Sequence, residues 1–113
     1  MTKPQSKILL VDDDNLFAEV IQNALTVFGH AVVRARDGKE ALKLYDPQTF
    51  HLVLTDLIMP DMEGVELIMK LQQRDPSVRI IAMSGGGRNK PESYLALAEK
   101  LGAIQTLAKP FPL

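Results

Sequence analysis

The chain has 113 residues, 46% hydrophobic and 24% charged, enough for one globular domain with one core and too short for two. Its 13 Lys and Arg against 14 Asp and Glu give a formal charge of −1, without the basic excess of a dedicated nucleic-acid binder. The lack of cysteine excludes disulfides and thiolate metal sites, no apolar run approaches a membrane span, and residues 1–7 are too polar for a signal peptide, so a cytoplasmic location is the default.

Residues 1–6 form a polar tail, expected to be flexible, and residues 7–113 the domain. Lys7-Ile8-Leu9-Leu10-Val11 is an apolar run of buried-strand character that stops at Asp12-Asp13-Asp14-Asn15. The period then changes. Phe17, Val20, Ile21, Ala24, Leu25 and Phe28 recur at three- and four-residue intervals, which predicts an amphipathic helix capped by Asp14 or Asn15 and closed by Gly29. Ala31-Val32-Val33 gives a short second strand. Asp37 with Glu40 three residues on is a helix start in which both side chains satisfy backbone donors. Ala41, Leu42 and Tyr45 carry that helix towards Pro47.

Leu52-Val53-Leu54-Thr55 shows no polar alternation, so it is a strand buried on both faces, and it ends at Asp56. Val65, Ile68, Met69 and Leu71 mark a third helix over 64–73, stopped by Asp75-Pro76. A fourth strand over 78–83 runs into Ser84-Gly85-Gly86-Gly87. Pro91 opens a fourth helix with Tyr94, Leu95, Ala98 and Leu101 inside and Gly102 after it. A fifth, weaker strand over 103–108 leads to Lys109-Pro110-Phe111. Five strands alternating with helices predict an α/β fold: a doubly wound, flavodoxin-like parallel sheet with right-handed crossovers in the order 2-1-3-4-5.

In such a sheet, ligands bind beyond the carboxyl ends of the strands, where the order reverses. Every strand but the second delivers a chemical group there: Asp12 and Asp13, then Asp56, Ser84 and Lys109. Each alone has a bland explanation. Asp12 and Asp13 would favour a helix's positive end, Ser84 and its glycines would make a loop, and lysines are mostly solvated. Together at one edge they favour a site. Close carboxylates repel, and a hard divalent cation relieves that repulsion. Mg2+ suits one or two carboxylates with water and a phosphoryl oxygen, whereas the lack of His and Cys at this edge disfavours Zn2+.

With these residues in place, the chain resembles the receiver domain of two-component response regulators over residues 7–111. The motifs are Ile-Leu-Leu-Val-Asp-Asp ending at Asp13, Leu-Thr-Asp-Leu-Ile-Met-Pro-Asp-Met-Glu-Gly around Asp56, Ile-Ile-Ala-Met-Ser-Gly around Ser84, and Ala-Lys-Pro-Phe around Lys109. The resemblance implies a phosphorylation-dependent switch in a phosphorelay rather than a turnover enzyme. It implies that Asp56 accepts a phosphoryl group from the phosphohistidine of a sensor histidine kinase or histidine phosphotransfer protein. Mg2+ would be held by Asp12, Asp13, Asp56 and the backbone carbonyl of Ile58. Ser84 and Lys109 would contact the phosphoryl oxygens, and Ser84 would relay the change through the 84–91 loop to a downstream effector or a fused output domain. The Lys109–Pro110 bond is expected to be cis. No direct nucleic-acid or membrane contact is expected.

Three positions depart from the family pattern. Thr106 stands where an aromatic is usual. Ile58, two after the acceptor, is apolar where many relatives are polar, and is expected to hinder an attacking water. The chain also stops at Leu113, where a fifth helix should begin, so that this final helix is missing. The sheet face beside the first helix is then expected to be an apolar patch open to a homodimer or helix exchange, unless the sequence is a piece of a longer protein. The main rival is a haloacid-dehalogenase-type phosphatase with Asp12 as nucleophile and Asp14 as general acid. It leaves Asp56 without a role and no room after Lys109 for its last acidic motif. Weaker still are a non-phosphorylated interaction module on the same fold and a flavin binder, whose phosphate the acidic turn after the first strand would repel.

Overall fold

A computed structural model describes residues 6–57, 64–84, 99, 102, 103 and 105–108, with Ser84 and 105–108 described through their backbone. Several expectations fall outside the described residues: those on Ile58, the 84–91 loop, the helix after Pro91, Lys109 and the Lys109–Pro110 bond. The elements in chain order are β1 (Lys7–Val11), α1 (Asn15–Val27), β2 (Ala31–Ala35), α2 (Gly38–Leu44), β3 (Leu52–Asp56), α3 (Gly64–Arg74), β4 (Ile80–Ser84) and β5 (Gln105–Ala108). They form a five-stranded sheet in the order β2-β1-β3-β4-β5 with every neighbouring pair parallel, as the alternation of strands and helices predicts.

The central strands are covered on both sides, which is why they carry unbroken apolar runs. Leu9, Val11, Val53, Ile80 and Ala82 face one core with Leu67, Ile68 and Leu71 of α3 and Ala41 of α2. Ile8, Leu10, Leu54 and Met83 face the other, with Ala18 and Ile21 of α1. Adjacent strand residues therefore alternate between two apolar layers instead of between core and water.

The helix ends follow the local chemistry. Oδ1 of Asp14 accepts the Phe17 N–H at 3.1 Å, so Asp14 is the α1 cap. Gly29 takes φ +93°, its N–H reaches Thr26 O at 3.0 Å, and the His30 N–H reaches Leu25 O at 3.1 Å, which satisfies the last carbonyls of α1. At α2, Asp37 Oδ1 accepts the Glu40 N–H at 2.8 Å. Glu40 Oε1 in turn accepts from Arg36 at 3.0 Å, one residue before the cap.

Three sequence expectations shift. The α1 face towards the sheet is Ala18, Ile21 and the partly buried Phe17 and Leu25, while Val20 and Phe28 are exposed. The helix carries apolar residues on more than one side, so periodicity alone does not choose the buried one. Met69 of α3 is likewise exposed. β2 runs two residues past Val33, taking in Arg34 and Ala35, because these two stay paired with Leu10 and Val11 of β1. No described helix is long and apolar enough to cross a membrane.

Candidate functional site

The first and third strands lie side by side, with Val11 in register with Thr55, so Asp12 and Asp56 leave the sheet at adjacent points. Asp12 is fully buried and Asp56 is 7% exposed, while Asp13 is exposed. One carboxylate oxygen from each of Asp12, Asp13 and Asp56 can be chosen so that all three lie within 4.8 Å of one another. At such a separation each pair of charges repels by about 1 kcal/mol in water and by more where protein replaces water. The cluster is therefore matched to a hard divalent cation: all donors are oxygens, two are walled in by protein, and the third faces solvent.

The carboxylates are held by short local bonds. Asp12 Oδ1 accepts the Asp14 N–H at 2.9 Å, turning the chain into α1. The Asp12 N–H donates to Ala35 O at 3.1 Å, and Arg34 donates to Asp12 O from Nη2 at 2.8 Å and from Nε at 3.3 Å. Asp56 Oδ1 accepts the Leu57 N–H at 3.0 Å, and the same N–H reaches Met83 O at 2.9 Å. The buried Thr55 hydroxyl donates to Asp56 O at 2.9 Å, which removes the cost of an unpaired hydroxyl in the core. Below this bend, Gly64 donates to Leu57 O at 2.8 Å and opens α3 against the backbone of Asp56 and Leu57.

The structure thus brings together the three aspartates singled out by the sequence. In the backbone, Asp56 is in register with Met83, so Ser84 is one step further along the neighbouring strand; Ser84 is in turn in register with Ala108, which Lys109 follows in the chain. The side chain of Ser84, the Ile58 carbonyl and Lys109 itself lie outside the described residues. Asp14, which a phosphatase would use as its general acid, is committed to capping α1, and Asp56, which a phosphatase would leave idle, stands in the cluster. Sequence reasoning missed Arg34 and Gly64. Their signals were a lone basic residue closing an apolar run and a glycine at a helix start.

Comparison with known proteins converges on one family. Residues 8–113 match the family model described as the response regulator receiver domain. The chemotaxis protein CheY of Listeria monocytogenes serovar 1/2a is 34% identical over 106 residues, covering 93% of this chain and 87% of the relative. The crystal structure of a response regulator receiver domain protein from Clostridium thermocellum superposes with a TM-score of 0.87 at 28% identity, covering 95% of this chain and 84% of that one. A response regulator protein from Burkholderia pseudomallei, solved with a phosphorylated aspartic acid, calcium ion and citrate, matches with a TM-score of 0.81 at 31% identity. That match covers 96% of this chain and 62% of that one.

Proposed function

The chain belongs to the response regulator receiver domains, the phosphorylation-dependent signalling switches of two-component systems, and on that premise we propose that Asp56 takes up the phosphoryl group. The observation that carries this is its place: a carboxylate at the end of a central strand, nearly buried, clustered with Asp12 and Asp13. In the transfer, an Asp56 carboxylate oxygen forms the new bond to phosphorus as the bond to a phosphohistidine nitrogen breaks. The electron pair stays on the imidazole, which takes up a proton. A carboxylate suffices as nucleophile because phosphoryl transfer depends mainly on positioning and charge stabilisation.

Asp12, Asp13 and Asp56 would hold Mg2+ together with the Ile58 carbonyl, and the bound cation would offset charge on the phosphoryl oxygens. The phosphorylated aspartic acid and calcium ion in the Burkholderia relative support an acceptor aspartate and a divalent cation in this fold. Lys109 would add a second positive charge, and Ser84 would donate to a phosphoryl oxygen, drawing the 84–91 loop inward. Ser84 ends the strand next to that of Asp56, and Ala108, which precedes Lys109, ends the strand beyond it at the same edge, which supports both roles.

Receiver domains work between histidine kinases and an output, fused or separate. We place the phosphate donor, a cytoplasmic kinase or phosphotransfer protein, against α1. Leu16, Val20 and Val27 lie within about 40° of one another around the helix at 100° per residue. They are 73%, 46% and 83% exposed, and the helix starts one residue after Asp14. Self-association would use a different face. A cavity of about 300 Å³ at the far end of the sheet is floored by Ile8, Leu25, Leu52 and Ile81 and edged by Ser6, His30, His51 and Arg79, an apolar floor with a polar rim that a second copy would cover.

The test is to incubate the chain with Mg2+ and acetyl phosphate. The expected product carries one base-labile phosphate at Asp56, absent from Asp56→Asn. Label on Asp12, or repeated hydrolysis of phosphate esters, would instead establish a phosphatase. Sedimentation of the chain at increasing concentration tests the self-association, which a single monomeric species throughout would remove.

A further inference from the structure

We propose that Arg34 is a positioning residue for the acidic cluster, acting through the main chain of Asp12. This rests on the receiver function of the domain. β2 delivers no carboxylate, hydroxyl or ammonium of its own to the site, yet it holds Asp12 on both sides. The Asp12 N–H is tied to Ala35 O at 3.1 Å, and the Asp12 carbonyl receives two bonds from the Arg34 guanidinium, at 2.8 and 3.3 Å. With both flanking peptides fixed, the Asp12 carboxylate is left little beyond its own side-chain rotations, and its Oδ1 is engaged by Asp14 at 2.9 Å. Bonds from a guanidinium are charge-assisted and stronger than those between neutral groups, and the fork of Arg gives them a set direction that Lys lacks.

A guanidinium beside a cation site acts in two opposing senses. Its charge repels the cation; its hydrogen bonds place the ligands. The repulsion is screened where the cluster opens to solvent at the exposed Asp13. The placement is not screened, because Arg34 is half-buried in register with Leu10 and bonded directly to the residue that it places. Placement therefore prevails, and β2 sets the position of a ligand that it does not itself supply.

The experiment is a calorimetric Mg2+ titration of wild type and Arg34→Met, with thermal midpoints and amide hydrogen exchange at Asp12 and Asp14 measured on the same samples. Arg34→Met is expected to raise the Mg2+ dissociation constant by about tenfold, the low end of what loss of a ligand-orienting partner costs. Exchange at Asp14 should speed up as the Asp12 carboxylate loosens. An unchanged dissociation constant, even with a lowered midpoint, would leave Arg34 a structural residue and overturn the proposal. A tighter one would show that the guanidinium acts as a repelling charge, and overturns it equally. Should Arg34→Met not fold, Arg34→Gln keeps one donor and is read in the same way, with a smaller rise expected. Absence of Mg2+ binding by the wild type would fall on the receiver function itself, and is told apart by being seen before any substitution is made.

Discussion

Gly64, the first residue of α3, lies so close to Asp56 that a Cβ built on it would meet the Asp56 carbonyl oxygen and the Leu57 Cα. The obstacle is backbone, so no flexible side chain can swing aside. Gly64 is also tied to Leu57 by its N–H, which reaches Leu57 O at 2.8 Å. The absence of a side chain at residue 64 therefore lets α3 seat directly beneath the acceptor. Gly64→Ala should cost about 1–3 kcal/mol, the usual penalty of forcing an extra carbon into a packed site. It should also slow labelling of Asp56 by acetyl phosphate, because the carbonyl that must move is Asp56's own. Coincident urea midpoints for mutant and wild type would show that the helix can simply shift.

The cluster of Asp12, Asp13 and Asp56 predicts two effects of opposite sign from one substitution. Asp13→Asn removes two of the three repelling pairs, so without Mg2+ the variant should be more stable than wild type, by about 1–2 kcal/mol once solvent screening of this exposed group is allowed for. In Mg2+ the order should reverse, since wild type gains the free energy of binding and the variant gains much less. Thermal midpoints with and without Mg2+ read both. If the two proteins keep the same order in both conditions, the carboxylates are not a cation site.

The Tyr45 phenol, at the end of α2, donates to Asp75 Oδ2 at 2.7 Å, and the pKa values of the two are displaced in opposite directions. The Tyr45 bond, with a second from the Ser77 hydroxyl at 2.8 Å, holds the Asp75 carboxyl below its ordinary value. Burial first, and then the Asp75 carboxylate, push the phenol above its own. A carboxylate depressed in the folded state contributes stability above its unfolded value of about 3.9 and loses it as the pH falls through the folded value. A phenol raised in the folded state contributes fully below about 10 and loses that as the pH rises further. Tyr45→Phe should shift the acid limb of the stability profile to higher pH, only partway because Ser77 remains, and should remove this contribution to the alkaline limb. Urea midpoints across the two ranges decide it; an unmoved acid limb would show that Ser77 alone sets Asp75.

Much of this fold is written in runs and punctuation. The unbroken apolar stretches before Asp12 and Asp56 announce strands covered on both sides, and Asp14, Gly29 and Asp37 mark helix ends through short-range bonds that depend only on neighbours in the chain. The three aspartates were legible for the same reason: Asp12 and Asp56 stand where such runs stop, and Asp13 follows Asp12 in the chain. What escaped was long-range. Arg34 reads as the end of a strand until its partner is known, and that partner is a carbonyl 22 residues away. The outward turn of Val20 and Phe28 escaped too, because a helix with apolar residues on several sides leaves the sheet to select one of them.

That selection leads to a last prediction. Having given Ala18 and Ile21 to the core, α1 presents Leu16, Val20 and Val27 to solvent along one line that starts beside the acidic cluster. Exposed apolar side chains scattered singly need no explanation, but a line of them next to a reactive carboxylate suits a protein that must bring its own phosphate to that carboxylate. Acetyl phosphate needs no such surface. Replacing Leu16 and Val20 by Ser should leave stability within about 0.5 kcal/mol, as surface changes usually do. Labelling by acetyl phosphate should be unchanged, while transfer from a phosphorylated histidine kinase should slow through weaker docking, seen as a higher half-saturating concentration at a similar maximal rate. Equal slowing with both donors would mean that the substitutions disturb Asp56 itself, and unchanged transfer from the kinase would place its docking surface elsewhere.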